Sequence, residues 1–365
     1  MNDLSGAGGV GPPGGPGHRR FAGRPWPPRP YFSRGDNATY AALDLGTNNC
    51  RLLVARPTRD SFRVVDAFSR IIRLGEGVSA SGRLSEAAIG RALSALAICR
   101  EKLGQRGVTR ARLIATEACR AAANGQDFLA RVQERIGIAL EIVDRETEAL
   151  LAATGCTPLI DPAAKGVILF DIGGGSSEIV YLGPCTPTQG GPPAPHIKAW
   201  ASMPFGVVTL EERHGGVNVT PDSFEHMIGE VEALVSRFAA EHRLDGTPPG
   251  VHLLGTSGTV TTIAGVHLKL RRYDRRQVDG CWLSDGEITQ VVNDLAAMSY
   301  QERVANPCIG AERADLVLAG CAILEAIRRV FPCPRLRVAD RGLREGILVQ
   351  LMREDGVWAR EAETA

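Results

Sequence analysis

The segment LFDIGGGSSEIV at residues 169–180 holds the side chains with the clearest potential for chemistry. An apolar run that predicts a buried strand ends at Asp171, and three glycines, two serines and Glu178 follow. Glycines let backbone amides turn toward a ligand, and amides with small hydroxyls form a cradle for phosphate oxygens. Carboxylate oxygens, as in Asp171 and Glu178, suit Mg²⁺. This order of residues predicts a site that handles a phosphate chain.

An earlier part of the chain repeats this arrangement. When LDLGTNNCRLLV is aligned with FDIGGGSSEIVY, Asp44 falls on Asp171 and Gly46 falls on Gly173. Each half of the chain therefore begins with a strand, an aspartate, a turn and a second strand, which favours an internal duplication. Two similar halves would place two phosphate-facing hairpins opposite each other across a cleft.

Hydrophobic periodicity indicates the elements that must position these hairpins. Strand patterns alternate with helical patterns from Thr39 onward, and the order starts again at Val167. In the first half, strands are predicted in TYAALDLG, RLLVAR, FRVVDAFSRII, ARLIAT and LEIVD, and helices after Ser85 and in EACRAAAN and ETEALLAAT. In the second half, helices are predicted at 221–242, at 285–299, in ADLVLAGCAILEAIRRV and at the end of LRVADRGLREGILVQLM. Such alternation predicts the α/β class.

Length and composition predict a two-domain protein that works in the cytoplasm. The chain has 365 residues, of which 44% are hydrophobic, and single cores stop growing near about 250–300 residues. A net charge of +1 gives no global attraction to nucleic acid or to a membrane surface. No apolar run approaches the roughly 18 residues of a membrane span, and the N-terminus lacks a signal-sequence pattern. Nine cysteines without a CxxC pair predict reduced, mostly buried thiols and no zinc site.

Changes in composition predict where the domains begin and end. A Gly/Pro/Arg-rich stretch at the start has too few aliphatic residues to fold. Its arginines favour a solvated tail, and contact with an acidic partner or a polyanionic substrate is the alternative. The predicted units are a disordered tail at 1–36, a first domain at 37–155, a second domain at 156–342, a final helix at 343–353 that returns to the first domain, and a short tail at 354–365.

Six motifs in order resemble one known family. They are ALDLGTNNCRLLVA, TEACRAAANG, the Glu-Ala helix after LEIVDR, LFDIGGGSSEIV, LLGTSGTVTTIAG and ADRGLREGIL. This order is similar to that of exopolyphosphatases and guanosine pentaphosphate phosphohydrolases, and the resemblance covers roughly residues 39–352. It implies the actin, sugar-kinase and acetate-kinase superfold, in which two ribonuclease-H-like domains are hinged around a cleft.

The resemblance implies roles for the residues at matching positions. Glu148 matches the family's general base, and Arg120 in TEACR matches an arginine that grips the substrate's phosphates. Asp171 and Glu178 match the acids linked to Mg²⁺, and Asp44 completes the predicted metal set. The predicted phosphate-binding residues are Gly46, Thr47 and Asn48 in the first hairpin, Gly173, Gly174, Gly175, Ser176 and Ser177 in the second, and Gly255, Thr256 and Ser257 in the turn of LLGTSGTVTT.

Alternative interpretations stay open at several of these positions. Arg120 could only pair with Glu117 on a helix face, and Glu148 could be an acid that favours the start of its helix. Many relatives carry two adjacent glutamates at the base, whereas here Thr147 precedes Glu148. Glu146 and Glu117 are therefore alternative acids for the same role. The turn of LLGTSGTVTT could hold phosphate or only connect a strand to a helix.

The resemblance implies a Mg²⁺-dependent exopolyphosphatase that releases orthophosphate from the ends of inorganic polyphosphate. The first alternative is the same chemistry on guanosine pentaphosphate, because both substrates end in a phosphoanhydride. A kinase of the same superfold would need an acceptor site that the sequence does not show, and a regulator that binds alarmones without turnover would not need the three acids. The chain stops near 352 without the C-terminal helical domain of longer relatives, which predicts a preference for short chains. Relatives are often homodimers, and no nucleic acid or membrane is expected as a partner.

Overall fold

The computed structural model describes residues 38–188, 190–244 and 247–359. The predicted tail at 1–36 and the last residues of the predicted C-terminal tail, 360–365, lie outside the described residues. Within the described ranges the chain forms eleven β-strands, thirteen α-helices and one short 3-10 helix.

The first half of the chain forms five strands and five α-helices among its described residues. They are β1 (Tyr40–Leu45), β2 (Asn49–Pro57), β3 (Phe62–Ile71), α1 (Val78–Ser81), α2 (Glu86–Gln105), β4 (Arg110–Ala115), α3 (Glu117–Ala121), α4 (Gly125–Ile136), β5 (Glu141–Ile142) and α5 (Arg145–Cys156), with the 3-10 helix at Thr157–Leu159. Helix α2 begins where the sequence predicts, because the Ser85 side chain accepts a hydrogen bond from Ala88 N at 3.2 Å.

The second half adds six strands and eight α-helices. They are β6 (Gly166–Ile172), β7 (Ser177–Thr186), β8 (Ala194–Met203), α6 (Val207–His214), α7 (Pro221–Glu241), β9 (Val251–Thr256), α8 (Ser257–His267), α9 (Arg275–Val278), β10 (Trp282–Ser284), α10 (Asp285–Ala297), α11 (Tyr300–Ala305), α12 (Val317–Val330), β11 (Arg335–Ala339) and α13 (Leu343–Glu354).

The two halves build sheets of the same design. The first sheet has the strand order β3-β2-β1-β4-β5, and the second has the order β8-β7-β6-β9-β11 with β10 added at its edge. In each sheet three antiparallel strands come first in the chain, and a parallel strand then pairs with the first of them. The predicted α/β class with two similar halves is confirmed.

The repeated hairpins match in register as well as in order. Asp44 pairs with Arg51 across β1 and β2, and Asp171 pairs with Glu178 across β6 and β7. Each aspartate therefore faces the residue seven positions later, next to the turn. Directly opposed residues project to the same face of a sheet, so each pair presents its two side chains together.

The helix that ends each half packs on the sheet of the other half. Apolar residues of α5 pack against β6 and β7 of the second sheet, among them Ala149 and Ala153. Residues of α13 pack against β1, β2 and β4 of the first sheet, among them Ile347 and Met352. Helix α5 lies within the predicted first domain at 37–155 but covers the second sheet, so the boundary between the domains stays a prediction.

The start of the predicted C-terminal tail is packed onto the first sheet. Trp358 is buried against the cluster that contains Tyr40 and Leu53, and its indole N–H donates to Thr58 O at 2.9 Å. Burial of a large aromatic ring with a satisfied N–H stabilises this position. Residues 355–359 therefore extend the fold beyond α13.

The composition predicts that the chain has no membrane span and that its cysteines are reduced and mostly buried. No helix within the three described ranges is long and apolar enough to cross a membrane. All nine cysteines are free thiols, and seven of them are buried, which agrees with the absence of a disulfide framework.

Salt bridges and hydrogen bonds also join the two halves at the rim of the cleft. Arg73, which follows β3, binds Asp315 through both guanidinium Nη atoms at 2.8 and 3.0 Å. Gly77 N donates to Glu212 of α6 at 2.7 Å. A bidentate guanidinium–carboxylate pair fixes orientation as well as distance, so these contacts hold one side of the cleft closed.

Helices α5 and α13 cross at unusually short range because glycines occupy the contact points. A β-carbon at Gly346 would lie 1.9 Å from Leu151 O, and one at Gly155 would lie 1.9 Å from Gly342 O. These atoms belong to the backbone and cannot swing aside. Only glycine therefore permits this crossing, which joins the two halves at the floor of the cleft.

We expect Gly346→Ala to lower stability by at least about 2 kcal/mol, because the added methyl group overlaps a backbone carbonyl. Gly90→Ala is the matched control, since Gly90 lies inside α2 with open space around it. That variant is expected to be neutral or up to about 1 kcal/mol more stable. Urea unfolding followed by circular dichroism measures both, and equal midpoints for the two variants would contradict the close crossing.

Candidate active site

A cavity of about 90 Å³ lies where hairpin β1–β2 faces hairpin β6–β7. Its walls are the turns of the two hairpins, and its floor includes Glu148 in the first turn of α5 and the beginnings of α8 and α13. The close crossing of α5 and α13 therefore brings residues of both halves to one small space.

The turns of the two hairpins have the same backbone geometry. Gly46 N donates to Asn49 O at 2.9 Å, and Gly173 N donates to Ser176 O at 3.0 Å. In the second turn a β-carbon at Gly173 would lie 2.4 Å from Ser176 O, so this position requires glycine. At Gly46 a β-carbon would lie 3.4 Å from Asn49 O, an ordinary contact, so the two turns share a hydrogen bond but only the second requires glycine.

The first hairpin touches the second through Thr47. A β-carbon at Gly174 would lie 3.0 Å from Thr47 Cβ, and one at Gly175 would lie 3.0 Å from Thr47 Oγ1. Both distances are shorter than ordinary contacts, so side chains at these positions would push the hairpins apart. The glycines keep the cleft narrow and leave backbone amides accessible to a ligand.

All but three of the predicted site residues line this cavity. Those that line it are Asp44, Gly46, Thr47, Asn48, Glu148, Asp171, Gly173, Gly174, Gly175, Ser176, Glu178, Thr256 and Ser257. Ser257 has a left-handed backbone with a φ of 80°, which is uncommon for a residue with a side chain, and its hydroxyl lies near enough to Asp171 to lower the pKa of that acid. The three residues outside the lining are Arg120, Ser177 and Gly255.

Ser177 and Gly255 face the core, which argues against direct phosphate contacts from them. Ser177 is completely buried at the start of β7, and its neighbours Ser176 and Glu178 line the cavity. Gly255 lies inside β9, where a β-carbon would come within 2.7 Å of the Phe170 ring. Packing against this ring explains why residue 255 is a glycine.

The acids of the cavity are buried close to one another, and this raises their pKa values. Burial, with the charge of nearby Asp44, raises the pKa of Asp171 to about 6. Burial, with the charge of Asp171, raises the pKa of Glu178 to about 7. Burial and the charge of Glu178 likewise raise the pKa of Glu148. Asp171 reaches the water of the cavity with part of its surface, but protein surrounds the rest.

Two serines hold the carboxylate of Glu178 in place. Ser176 Oγ donates to Glu178 Oε1 at 3.0 Å, and Ser202 Oγ donates to the same oxygen at 2.8 Å. Ser202 lies opposite Glu178 in the pairing of β7 with β8. The sequence carries no motif at Ser202, so only the strand register reveals its role.

Arg120 forms hydrogen bonds with two glutamates that line the cavity but does not line it itself. Its Nε and Nη2 donate to Glu117 Oε2 at 3.0 and 2.6 Å, and Nη2 also donates to Glu148 Oε2 at 3.1 Å. Its Nη1 donates to Val143 O at 2.6 Å. Arg145 adds a hydrogen bond to Glu117 Oε1 at 2.9 Å. The guanidinium is thus engaged in positioning Glu148.

The hydrogen bonds of Arg120 do not favour the expectation that this residue binds the substrate's phosphates directly. The alternative pairing of Arg120 with Glu117 is present, but both side chains are largely buried, at 17% and 14% exposure, and do not lie on a solvated face. In this structure protein groups, Glu117 among them, already accept the hydrogen bonds of Arg120. Glu146 is exposed and outside the cavity lining, whereas Glu117 lines it, so of the two alternative acids only Glu117 shares the site with Glu148.

Two arginines that the sequence analysis did not assign also line the cavity. Arg51 faces Asp44 across the first hairpin, at the position that Glu178 occupies in the second. Arg344 lies in the first turn of α13. In the aligned repeat Arg51 takes the position of Glu178, and Arg344 lies in the motif ADRGLREGIL. The sequence therefore contained a pattern that could have pointed to each arginine.

The acids of the cavity fit a divalent cation that is shared with a substrate. Within residues 38–188, 190–244 and 247–359, no group of three or more His, Cys, Asp or Glu side chains is placed to hold a metal ion by itself. Mg²⁺ commonly binds through one or two carboxylates together with waters and substrate phosphates. Asp171 and Glu178 face each other in register and repel each other when both are charged, which a cation between them would offset.

These features define a class of protein: an enzyme with the two-domain, actin-like α/β fold that hydrolyses phosphoanhydrides. The chain belongs to the Ppx/GppA phosphatase family, whose profile matches residues 53–355. The predicted family, fold and enzyme class are confirmed.

Individual relatives cover nearly the whole chain. Exopolyphosphatase 2 of Mycobacterium tuberculosis is 28% identical over 330 residues, which cover 85% of this chain and 98% of that protein. Guanosine-5'-triphosphate,3'-diphosphate pyrophosphatase of Aeromonas hydrophila is 27% identical over 315 residues, which cover 86% of this chain but 59% of that protein. The crystal structure of the Aquifex aeolicus family member superimposes with a TM-score of 0.71 and 27% identity, covering 87% of this chain and 98% of that one.

Mg²⁺ is expected to raise the unfolding temperature more at pH 8 than at pH 5. With pKa values of about 6 and 7, Asp171 and Glu178 bind protons in the folded protein that the unfolded chain has released, so stability without Mg²⁺ falls as pH rises through this range. Mg²⁺ binds the ionised acids and must compete with protons at pH 5.

Thermal unfolding with and without a few millimolar Mg²⁺ measures this effect. Asp171→Asn removes one ligand and one buried charge, so it should be more stable than wild type at pH 8 without Mg²⁺ and should gain less from its addition. Equal Mg²⁺-induced shifts at the two pH values, or in the two proteins, would contradict a cation site at Asp171.

Proposed function

We propose that this chain is a Mg²⁺-dependent exopolyphosphatase that hydrolyses the terminal phosphoanhydride of inorganic polyphosphate and releases orthophosphate. The observation that carries this proposal is that Glu148 lines the same cavity as Asp171 and both glycine turns. In-line attack on a terminal phosphoryl group requires a positioned base, donors for the phosphate oxygens and neutralisation of charge, and this cavity has residues for each requirement. The name of the M. tuberculosis relative supports the choice of polyphosphate.

Glu148 is suited to take a proton from the attacking water. Its Oε2 is held by Arg120 at 3.1 Å, and Oε1 forms no hydrogen bond within the described part of the chain. Burial and Glu178 raise the pKa of Glu148, which makes it a stronger base than an exposed glutamate. Glu148 lines the cavity, so this oxygen is available to orient and deprotonate a water there without a phosphoenzyme.

The two glycine turns are suited to bind the phosphate that is attacked and the one that leaves. Free amides of the turns can donate to phosphate oxygens, and Thr47 adds a hydroxyl. Asp44, Asp171 and Glu178 would hold a Mg²⁺ ion through one or two carboxylates, and the ion when bound supplies neutralisation of the leaving phosphate. Arg120 keeps Glu148 in place throughout.

The first alternative is hydrolysis of guanosine pentaphosphate, which the name of the A. hydrophila relative favours. The chain covers only 59% of that protein, whereas it covers 98% of the M. tuberculosis relative, so the polyphosphate interpretation ranks first. The second alternative is a regulator that binds alarmones without turnover. The base, the metal acids and both glycine turns are complete here, which argues for catalysis.

Phosphate release from medium-chain polyphosphate, guanosine pentaphosphate and ATP, measured in parallel with Mg²⁺, tests the proposal. Turnover of polyphosphate alone supports it, and turnover of guanosine pentaphosphate alone supports the first alternative. Tight binding without release from any of the three would establish the regulator. A cytoplasmic location and a homodimer stay predictions, and light scattering of the purified chain tests the second.

Glu148→Gln is expected to reduce turnover by about 10²–10⁴-fold while substrate binding stays largely intact, because it removes the proton acceptor and keeps the shape of the side chain. Glu146→Gln is the matched control two residues away, exposed and outside the cavity. Initial rates with a saturating substrate measure both variants. A Glu148→Gln rate near that of wild type would assign the base to another acid, and Glu117 is then the next to substitute.

A further inference from the structure

We propose that Arg344 and the first turn of α13 form a binding subsite for a substrate phosphate that is not transferred. The inference rests on the proposed function and extends it to a part of the cavity that lies outside the two glycine turns. The ligand chemistry is a phosphate oxyanion, whether it belongs to a polyphosphate chain or to a nucleotide.

The start of α13 provides backbone donors without acceptors. Gly342 has no side chain to cap the helix, and its own N–H is taken by Glu345 Oε2 at 2.9 Å. The N–H groups of Leu343 and Arg344 have no acceptor within the described residues, and both residues line the cavity. The first N–H groups of a helix and its dipole favour an anion at this point.

The side chain of Arg344 supports an anion site independently of the free N–H groups at the start of α13. Protein encloses its side chain apart from the part that lines the cavity, and its guanidinium forms no hydrogen bond or ion pair within the described residues. A cation in the first turn of a helix is opposed by the helix dipole, and burial opposes it further. An anion bound between the guanidinium and the first-turn amides would relieve both costs.

Two of the three acids near Arg344 are already engaged with other groups, and the third is Asp44. Glu345 binds Arg275 at 2.7 Å, and Asp340 accepts a hydrogen bond from Tyr273 at 2.6 Å. By contrast Arg341, which also lines the cavity, is paired with Asp279 at 3.0 Å. Arg344 therefore has its whole guanidinium available for a ligand, whereas Asp279 occupies Nε and Nη2 of Arg341.

The position of this turn relative to the metal acids fits a neighbouring phosphate. A β-carbon at Gly342 would lie 4.0 Å from Asp171 Oδ2 and 3.3 Å from Thr256 Oγ1. The subsite thus adjoins the place where Asp171 would share a cation with the leaving phosphate. The competing interpretation is that Arg344 is only a counter-ion for Asp44, whose charge lies nearby.

Binding of tripolyphosphate to the Glu148→Gln protein with Mg²⁺, measured by calorimetry, tests the subsite without turnover. Adding Arg344→Gln should weaken binding by about 10–100-fold, as expected for loss of charged hydrogen bonds. Adding Arg276→Gln, an exposed arginine outside the cavity, should leave the affinity unchanged. In the otherwise wild-type enzyme, Arg344→Gln should raise KM by a similar factor and change kcat less.

Thermal unfolding without anions separates a binding role from a structural one. Arg344→Gln should be as stable as wild type or more stable, and tripolyphosphate should stabilise it less than it stabilises wild type. An affinity within about twofold of the parent, with or without a loss of stability, overturns the subsite. If Arg344→Gln does not fold, Arg344→Lys keeps the charge without the forked donors, and unchanged affinity in that variant overturns the proposal equally.

The two proposals fail in different ways. If the wild-type chain releases no phosphate from any substrate but binds tripolyphosphate through Arg344, the proposed function falls and the subsite stands. If it releases phosphate and Arg344→Gln binds as tightly as its parent, the function stands and the subsite falls.

Discussion

The close contact of α5 with α13 is the constraint on which the site depends. Each helix packs on the sheet of the other half, and glycines at the crossing let the two backbones touch. Glu148, the proposed base, and Arg344 lie in the first turns of these helices, so one contact fixes a carboxylate and a guanidinium at the floor of the cleft. Any change in the crossing moves these groups relative to both phosphate hairpins.

The cavity that results concentrates negative charge with few direct partners. Burial and mutual repulsion raise the pKa values of Asp171, Glu178 and Glu148, which is unfavourable for the fold near neutral pH. Buried acids with raised pKa values are typical of a site that binds cations and anions together. The bound ligands then supply the opposite charges that the acids lack in the free protein. The hydrogen bonds from Ser176 and Ser202 and the grip of Arg120 keep the acids in place until then.

The repeat of strand, aspartate and glycine turn predicted much of the site, because the length of the turn fixes how the two strands of each hairpin pair. Once Asp44 is aligned with Asp171, the pairing of each with the residue seven positions on follows from a four-residue turn. Arg120 is different, because its guanidinium bonds Glu117 in its own helix and Val143 and Glu148 in later elements. A motif gives the residue type at that position, but only the packing shows which acceptors its donors reach.

The α/β alternation, the two similar halves, the family and most of the cavity lining could be predicted from the sequence, because periodicity, glycine turns and short motifs are local properties of the chain. The tertiary structure alone decided that α5 covers the second sheet, that Ser177 and Gly255 face the core, and that Arg120 positions Glu148. It also showed that Arg51 and Arg344, which lie in or beside the recognised motifs, share the cavity with the acids. These facts depend on the distance and direction between elements far apart in the chain, which no local pattern encodes.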